Sequence, residues 1–182
     1  GLLFASYLSD SILMIRTLKG MKAQARLLWG QDAGFEMADF PKTLGADVNG
    51  VLTRTVFIAK IAKVKKVAGQ VNDLYKKKYG DDLTGATGRS VVGVQTWAYV
   101  LDRAKSTDPK AIQKACNEIN IPGYELVMPW EGVKFDATGQ NILGRGLIGQ
   151  YQLTKEGKIT LEIIYPFDLA TANMIYPFPG WK

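Results

Sequence analysis

The sequence has no histidine and only one cysteine, Cys116. The first absence removes Ser/His and Cys/His dyads and a Cys/His zinc cluster. The second removes any internal disulfide. No stretch approaches the roughly 18 consecutive apolar residues of a membrane helix, so none reads as a bilayer span. There is no dinucleotide fingerprint, and the glycines of Gly85 to Ser90 do not make a phosphate cradle. They lack a Gly-Lys-Ser/Thr ending and do not follow a strand. The net charge of +6 gathers at Lys60, Lys63, Lys65, Lys66, Lys76, Lys77 and Lys78. Without arginine repeats or interleaved exposed aromatics, this run reads as a solvated helix face rather than a nucleic-acid surface. No metal, cofactor or nucleic-acid partner is expected.

What is present is a globular composition, 47% hydrophobic and 10% aromatic over 182 residues, enough for one domain or parts of two. The opening is the most informative segment. Leu2 to Ala5 reads as the end of a buried parallel strand, followed at once by Ser6, Tyr7, Ser9 and Asp10 as a strand-to-helix loop with Asp10 as cap. A chain entered in mid-sheet reads as the later part of a larger α/β protein. A helix over Ser11 to Lys19 should then close at a left-handed Gly20. Ala25 to Trp29 is a second short strand, with Gly30 to Gly34 a glycine-rich loop after it. Phe35 to Leu44 can be helical with Pro41 near an end, and Val48 to Phe57 reads as a third strand. Strand, loop and helix in repetition predict a parallel sheet.

From Ile58 the pattern becomes basic and helical, ending near Gly80. Thr84 to Ser90 reads as a flexible loop. Val91, Val94, Trp97, Ala98, Leu101 and Ala104 form an apolar stripe on the next helix. Asp108 and Pro109 start a third helix running to Ile119, as a cap residue followed by proline at the first helical position. Three successive helices thus cover a sheet mostly absent from the sequence. Phe135 to Asn141 is a turn. Leu147 to Leu153 and Ile159 to Ile164 form a hairpin across Lys155 to Lys158, and Tyr176 to Trp181 is irregular.

In a parallel sheet, the loops Ser6-Tyr7 and Gly30 to Gly34 emerge at one edge, bringing Tyr7 toward Asp32, with Ser6 and Gln31 beside them. Ligands collect at that edge in open α/β sheets. A ring next to a carboxylate suits a small molecule carrying an ammonium group. The plainer reading has Tyr7 packed on a helix and Asp32 capping one, and spacing leaves both open. Cys116, among Ala111, Ile112 and Ala115, reads as a small buried residue. The pairs Asp81 with Asp82, and Glu125 with Glu131, read as solvated. No convincing catalytic constellation emerges.

Several stretches in order carry a resemblance. They are Leu3 to Tyr7 with the helix to Gly20, Leu28 to Asp32, Gly50 to Thr55, Phe57 to Gly80, Val91 to Ala104, Gly132 to Gly139, Gly149 to Gln152, and Tyr176 to Trp181. Together these resemble the branched-chain amino acid type of periplasmic solute-binding protein that serves ATP-driven (ABC) importers. The resemblance covers nearly the whole chain. It implies a two-lobed type I periplasmic binding protein fold, here incomplete because the N-terminal part is missing. Residues 1–52 and 148–182 would belong to the second lobe, and 56–143 to the first. Hinged crossovers would fall near Thr53 to Thr55 and Gly144 to Gly149. Tyr7 and Asp32, with Ser6 and Gln31, would hold the amino end of an amino acid.

The implied protein is a non-enzymatic, periplasmic or extracellular binding component that delivers its ligand to membrane permease subunits. The missing N-terminal segment or a second copy of the chain would cover its open surfaces. A cytoplasmic ligand-sensing regulator with the same architecture is the alternative, and a small α/β enzyme is a more distant one.

Overall fold

The computed structural model describes residues 1–31 and 33–181. These divide into two compact units, Gly1–Lys60 with the chain from Leu147 on, and Ile61–Gly146. Among the described residues no helix is long and apolar enough to cross a membrane. The mixed α/β class expected from the strand, loop and helix repetition is present.

The first unit is a five-stranded sheet. In chain order its strands are β1 (Leu2–Ala5), β2 (Leu28–Gln31), β3 (Leu52–Thr55), and, after the β4 and β5 of the other unit, β6 (Leu147–Leu153) and β7 (Ile159–Tyr165). They lie side by side in that order. The first three are parallel, with Ala5, Gln31 and Arg54 level across the sheet. β6 and β7 are antiparallel and form the expected hairpin, turning at Gly157, where φ is +76°. Helices α1 (Leu8–Gly20) and α2 (Asp39–Leu44) pack on one face. Their apolar residues join the strands around Ile15, Leu28, Phe35, Phe40, Leu44, Val48, Val51, Tyr151 and Phe178.

Several boundaries differ from expectation for identifiable reasons. α1 begins at Leu8, so Asp10 lies inside its first turn and Tyr7 is the N-cap residue. The helix also runs through Gly20. The left-handed residue is Lys22, at φ 50°, and Ala23 N–H reaches back to the Leu18 carbonyl at 2.9 Å. β2 starts at Leu28 rather than Ala25, because Arg26 turns aside and its carbonyl accepts from Phe178 N–H at 2.9 Å. Val48 belongs to a 3-10 turn, and β3 is confined to Leu52–Thr55.

The C-terminal tail is built into this unit. The side chain of the fully buried Gln150 donates to the carbonyls of Gly50 and Ile175, each at 3.0 Å, and accepts from Ile175 N–H at 2.8 Å. Trp181 Nε1 donates to the Asp47 carbonyl at 2.8 Å. The outer edge of β7 is closed by Thr171, which donates N–H to the Ile163 carbonyl at 2.8 Å and accepts Ile163 N–H on its hydroxyl at 2.9 Å. Buried Glu162 takes the hydroxyls of Thr160 and Thr171 at 2.8 and 2.7 Å, together with the Lys60 ammonium. A buried carboxylate is tolerable only when partnered in this way.

The second unit carries α3 (Lys66–Tyr79), α4 (Gly85–Ala104) and α5 (Pro109–Glu118), with β4 (Ile121–Pro122) paired to β5 (Gly132–Val133). Gly80 is the left-handed cap of α3. Asp108 caps α5, accepting from the N–H groups of Lys110 and Ala111 at 3.0 Å each. The expected loop Thr84 to Ser90 is instead the start of α4. Thr84 and Thr87 form a reciprocal capping box there, with threonine in the role usually filled by Glu or Gln.

Tyr151 carries a direct test of this packing. Its hydroxyl donates to the buried Phe35 carbonyl at 2.7 Å, and burial, then the Glu36 carboxylate, push its titration upward. Tyr151→Phe leaves that carbonyl unsatisfied and should lower unfolding free energy by about 1–3 kcal/mol in urea titration. An unchanged midpoint would contradict the role of the bond.

Candidate functional site

The candidate site lies at the C-terminal ends of β1, β2 and β3. Because Ala5, Gln31 and Arg54 are level, the three following segments leave the sheet at one height. Ser6 and Tyr7 carry β1 into α1. Gly34 N–H donates to the Ser6 carbonyl at 3.0 Å, drawing the second loop onto the first. The approach requires glycine. A Cβ at Gly34 would lie 2.4 Å from the Tyr7 carbonyl carbon and 2.6 Å from Leu8 N.

Within the first loop, Ser11 donates its hydroxyl proton to the Tyr7 carbonyl at 2.9 Å. The Ser6 hydroxyl, 3.0 Å from that of Ser11, is therefore the donor of the hydroxyl pair. These bonds fix the backbone under Tyr7 and leave its ring outside, 79% exposed. The plainer reading, with Tyr7 packed on a neighbouring helix, does not hold. Gln31 is half-buried at the end of β2. Asp32 lies outside the described residues. What the edge presents is an exposed aromatic ring at the N-cap of a 13-residue helix, with half-buried Ser6 just before it and half-buried Gln31 at the end of the neighbouring strand. Such an arrangement can cover and orient a small polar molecule.

Sequence reasoning missed Glu36 and Arg54 at this edge. Glu36 accepts from the buried Thr55 hydroxyl, joining the second loop to the end of β3. The available signal was the parallel register itself, which sets Thr55 just past the level of Gln31. Among the described residues no group of three or more Cys, Asp or Glu side chains is placed to hold a metal.

A separate polar cluster lies in the second unit. Lys65 donates to the carbonyls of Met128 and, at 3.4 Å, Trp130. Arg145 Nε donates to Pro129 at 2.8 Å. Gln95 brackets the start of the same segment, donating to the Glu125 carbonyl at 3.2 Å and accepting from Val127 N–H at 3.0 Å. These side chains replace the partners that an irregular buried segment would otherwise lack. Burial, then the nearby Arg145 charge, bring the Lys65 titration down from 10.5 to about 8.

The fold is that of the periplasmic binding proteins, represented in part. A leucine-binding protein LivK from Thermotoga maritima is similar at 21% identity, with 91% of this chain and 45% of that chain covered and a TM-score of 0.69. The leucine-, isoleucine-, valine-, threonine- and alanine-binding protein of Brucella ovis, in its closed conformation, is 12% identical. There 94% of this chain and 44% of that chain are covered, with a TM-score of 0.69. The substrate-binding protein LivJ of Streptococcus pneumoniae, in complex with isoleucine, is 17% identical over 90% of this chain and 44% of that one, with a TM-score of 0.64. The chain therefore spans less than half the length of these structures. No family model and no curated protein matches the sequence.

Two outcomes test this geometry. Gly34→Ala should cost about 1–3 kcal/mol of stability, because its methyl group meets backbone rather than a movable side chain. Thermal and urea unfolding that match wild type would show that the two loops do not touch. For Lys65, the folded value lies below the unfolded one. Between about pH 8 and 10.5 the unfolded chain holds a proton the folded chain has released, so stability should rise with pH across that window and fall as pH drops through 8. Lys65→Met should remove that slope, and competitive amine labelling read by peptide mass should find Lys65 the most reactive lysine near pH 8.

Proposed function

We propose that this chain is part of an ABC-importer substrate-binding protein that captures an amino acid or related small polar metabolite and delivers it to membrane permease subunits. The observation that carries the reading is the sheet edge, where Gly34 ties the second loop to the first and Tyr7 stays exposed. Support comes from the fold, shared with structures whose names describe binding of branched-chain amino acids. On this reading the chain is not an enzyme, and it works in the periplasm or outside the cell.

Residues 1–52 and 148–182 correspond to one lobe and 56–143 to the other. The contact boundaries fall at Lys60/Ile61 and Gly146/Leu147. Ligand binding acts by population shift, since a ligand can move an equilibrium only by its differential affinity for the two states. Tyr7 covers the ligand's ammonium group, Asp32 pairs with it, and Ser6 and Gln31 supply polar contacts at the rim. The reading includes a further partner, a missing N-terminal segment or a second copy.

Native mass spectrometry with a panel of amino acids and aromatic acids tests the reading, followed by titration calorimetry of variants. Asp32→Ala should weaken binding by at least about 1.5 kcal/mol, the loss expected for a hydrogen bond to a charged group. Tyr7→Ala should weaken it as well, and Tyr7→Phe less. Unchanged affinity in Asp32→Ala would remove the assignment.

A further inference from the structure

The central strand of the five-stranded sheet carries a charge. β3 is third in the order, and within it only Arg54 is not fully buried. Enclosed parallel strands are normally apolar runs, so an arginine here needs a reason. Ala5 pairs with Gln31 and Gln31 with Arg54, and residues paired across neighbouring strands turn to the same face. Phe4, Gly30 and Thr53 turn to the opposite one, where Gly30 meets the Phe35 ring of the core. Gln31 and Arg54 therefore leave the sheet away from α1 and α2, on adjacent strands about 5 Å apart. They do so at the carboxyl ends of those strands, where ligands collect in open α/β sheets.

The chemistry of that face is one-sided. Across β1 to β3 it consists of Leu3, Ala5, Trp29, Gln31, Leu52 and Arg54, which bring N–H donors and no carboxylate. The Trp29 indole nitrogen is buried and makes no hydrogen bond among the described residues. In the segments 6–10, 31–36 and 54–58 that lead off this edge, Arg54 is the only basic residue, against Asp10, Asp32 and Glu36. Arg54 already interacts within the chain. A guanidinium has five donors in a rigid fork, however, and can serve two acceptors. What that fork matches is a carboxylate.

We infer that Arg54 is a specificity-determining residue of the proposed site and takes a carboxylate on the ligand's side chain, which makes the ligand an acidic amino acid. This rests on the binding reading above, in which Tyr7 and Asp32, on the loops after β1 and β2, hold the ammonium group. The strand order then sets the basic group one spacing beyond the acidic one, about 5 Å, which suits opposite charges at the two ends of a short molecule. A branched apolar side chain would offer the donors of this face no acceptor.

The test is titration calorimetry of the 182-residue chain with glutamate, its neutral isostere glutamine, and leucine. Glutamate should bind about 10- to 100-fold more tightly than glutamine, the range of a hydrogen bond to a charged group. Arg54→Met should bring the two to equal affinity. Arg54→Lys keeps the charge but loses the fork, and should retain part of the difference. Glutamine or leucine binding to wild type as tightly as glutamate would overturn the inference and leave the transport reading standing. So would an Arg54→Met chain that binds glutamate and glutamine more weakly by the same factor, because the residue would then hold the loops or the α-carboxylate that both ligands share. The wild-type ratio needs no variant, so it decides even where a variant fails to fold. A chain that binds no amino acid would overturn both readings together.

Discussion

The hydrogen bond from Tyr151 to the Phe35 carbonyl ties together two parts of the chain 116 residues apart. Around it the rings of Phe35 and Phe40 meet edge to face at 5.2 Å, and Phe40 meets Tyr151 at 5.6 Å. Phe35 in turn sits over Gly30, where a Cβ would fall 2.0 Å from the ring. The loop after β2 is therefore placed from below by an aromatic cluster that the returning strand β6 completes. Gly34 comes to rest against Ser6 only because Phe35 is anchored one residue later. The exposed position of Tyr7 is thus set by residues buried in the core beneath it. Burial contributes most of the energy of such a cluster, and the single polar bond decides which way the rings face.

Much of this was legible because periodicity and punctuation agreed. The alternation of strands with glycine-rich loops gave the parallel sheet, and Asp108 with Pro109 located the start of α5 to the residue. The hairpin around Gly157 was equally plain. What failed had local physical causes. Glycines at 85 and 88 made the start of α4 look flexible, and the reciprocal threonine pair that nucleates it is not a pattern glycine counting detects. Asp10 has the composition of a cap but lies three residues too late. At the site, composition singled out the loop of Tyr7. Glu36 escaped because its meaning depends on Thr55, nineteen residues away and adjacent only once the strands are in register.

The two units handle polar burial differently. In the first, strands satisfy one another and side chains serve mainly at the margins, as Gln150 and Glu162 do. In the second, the segment from Glu125 to Glu131 has almost no ladder to join. Lys65, Gln95 and Arg145 supply its hydrogen bonds one by one. Part of the cost is visible in the Lys65 ammonium, which is held where its charge is disfavoured.

The first unit is discontinuous, whereas the second lies wholly within Ile61–Gly146. Gln150, Arg26 and Asp47 take partners from Ile175, Phe178 and Trp181. On the ribosome, every residue of the second unit emerges while β3 still waits for β6. The sheet bearing Tyr7 cannot close until β6, β7 and the segment up to Trp181 have followed, so the order of synthesis, rather than stability, decides which unit must be sheltered longer.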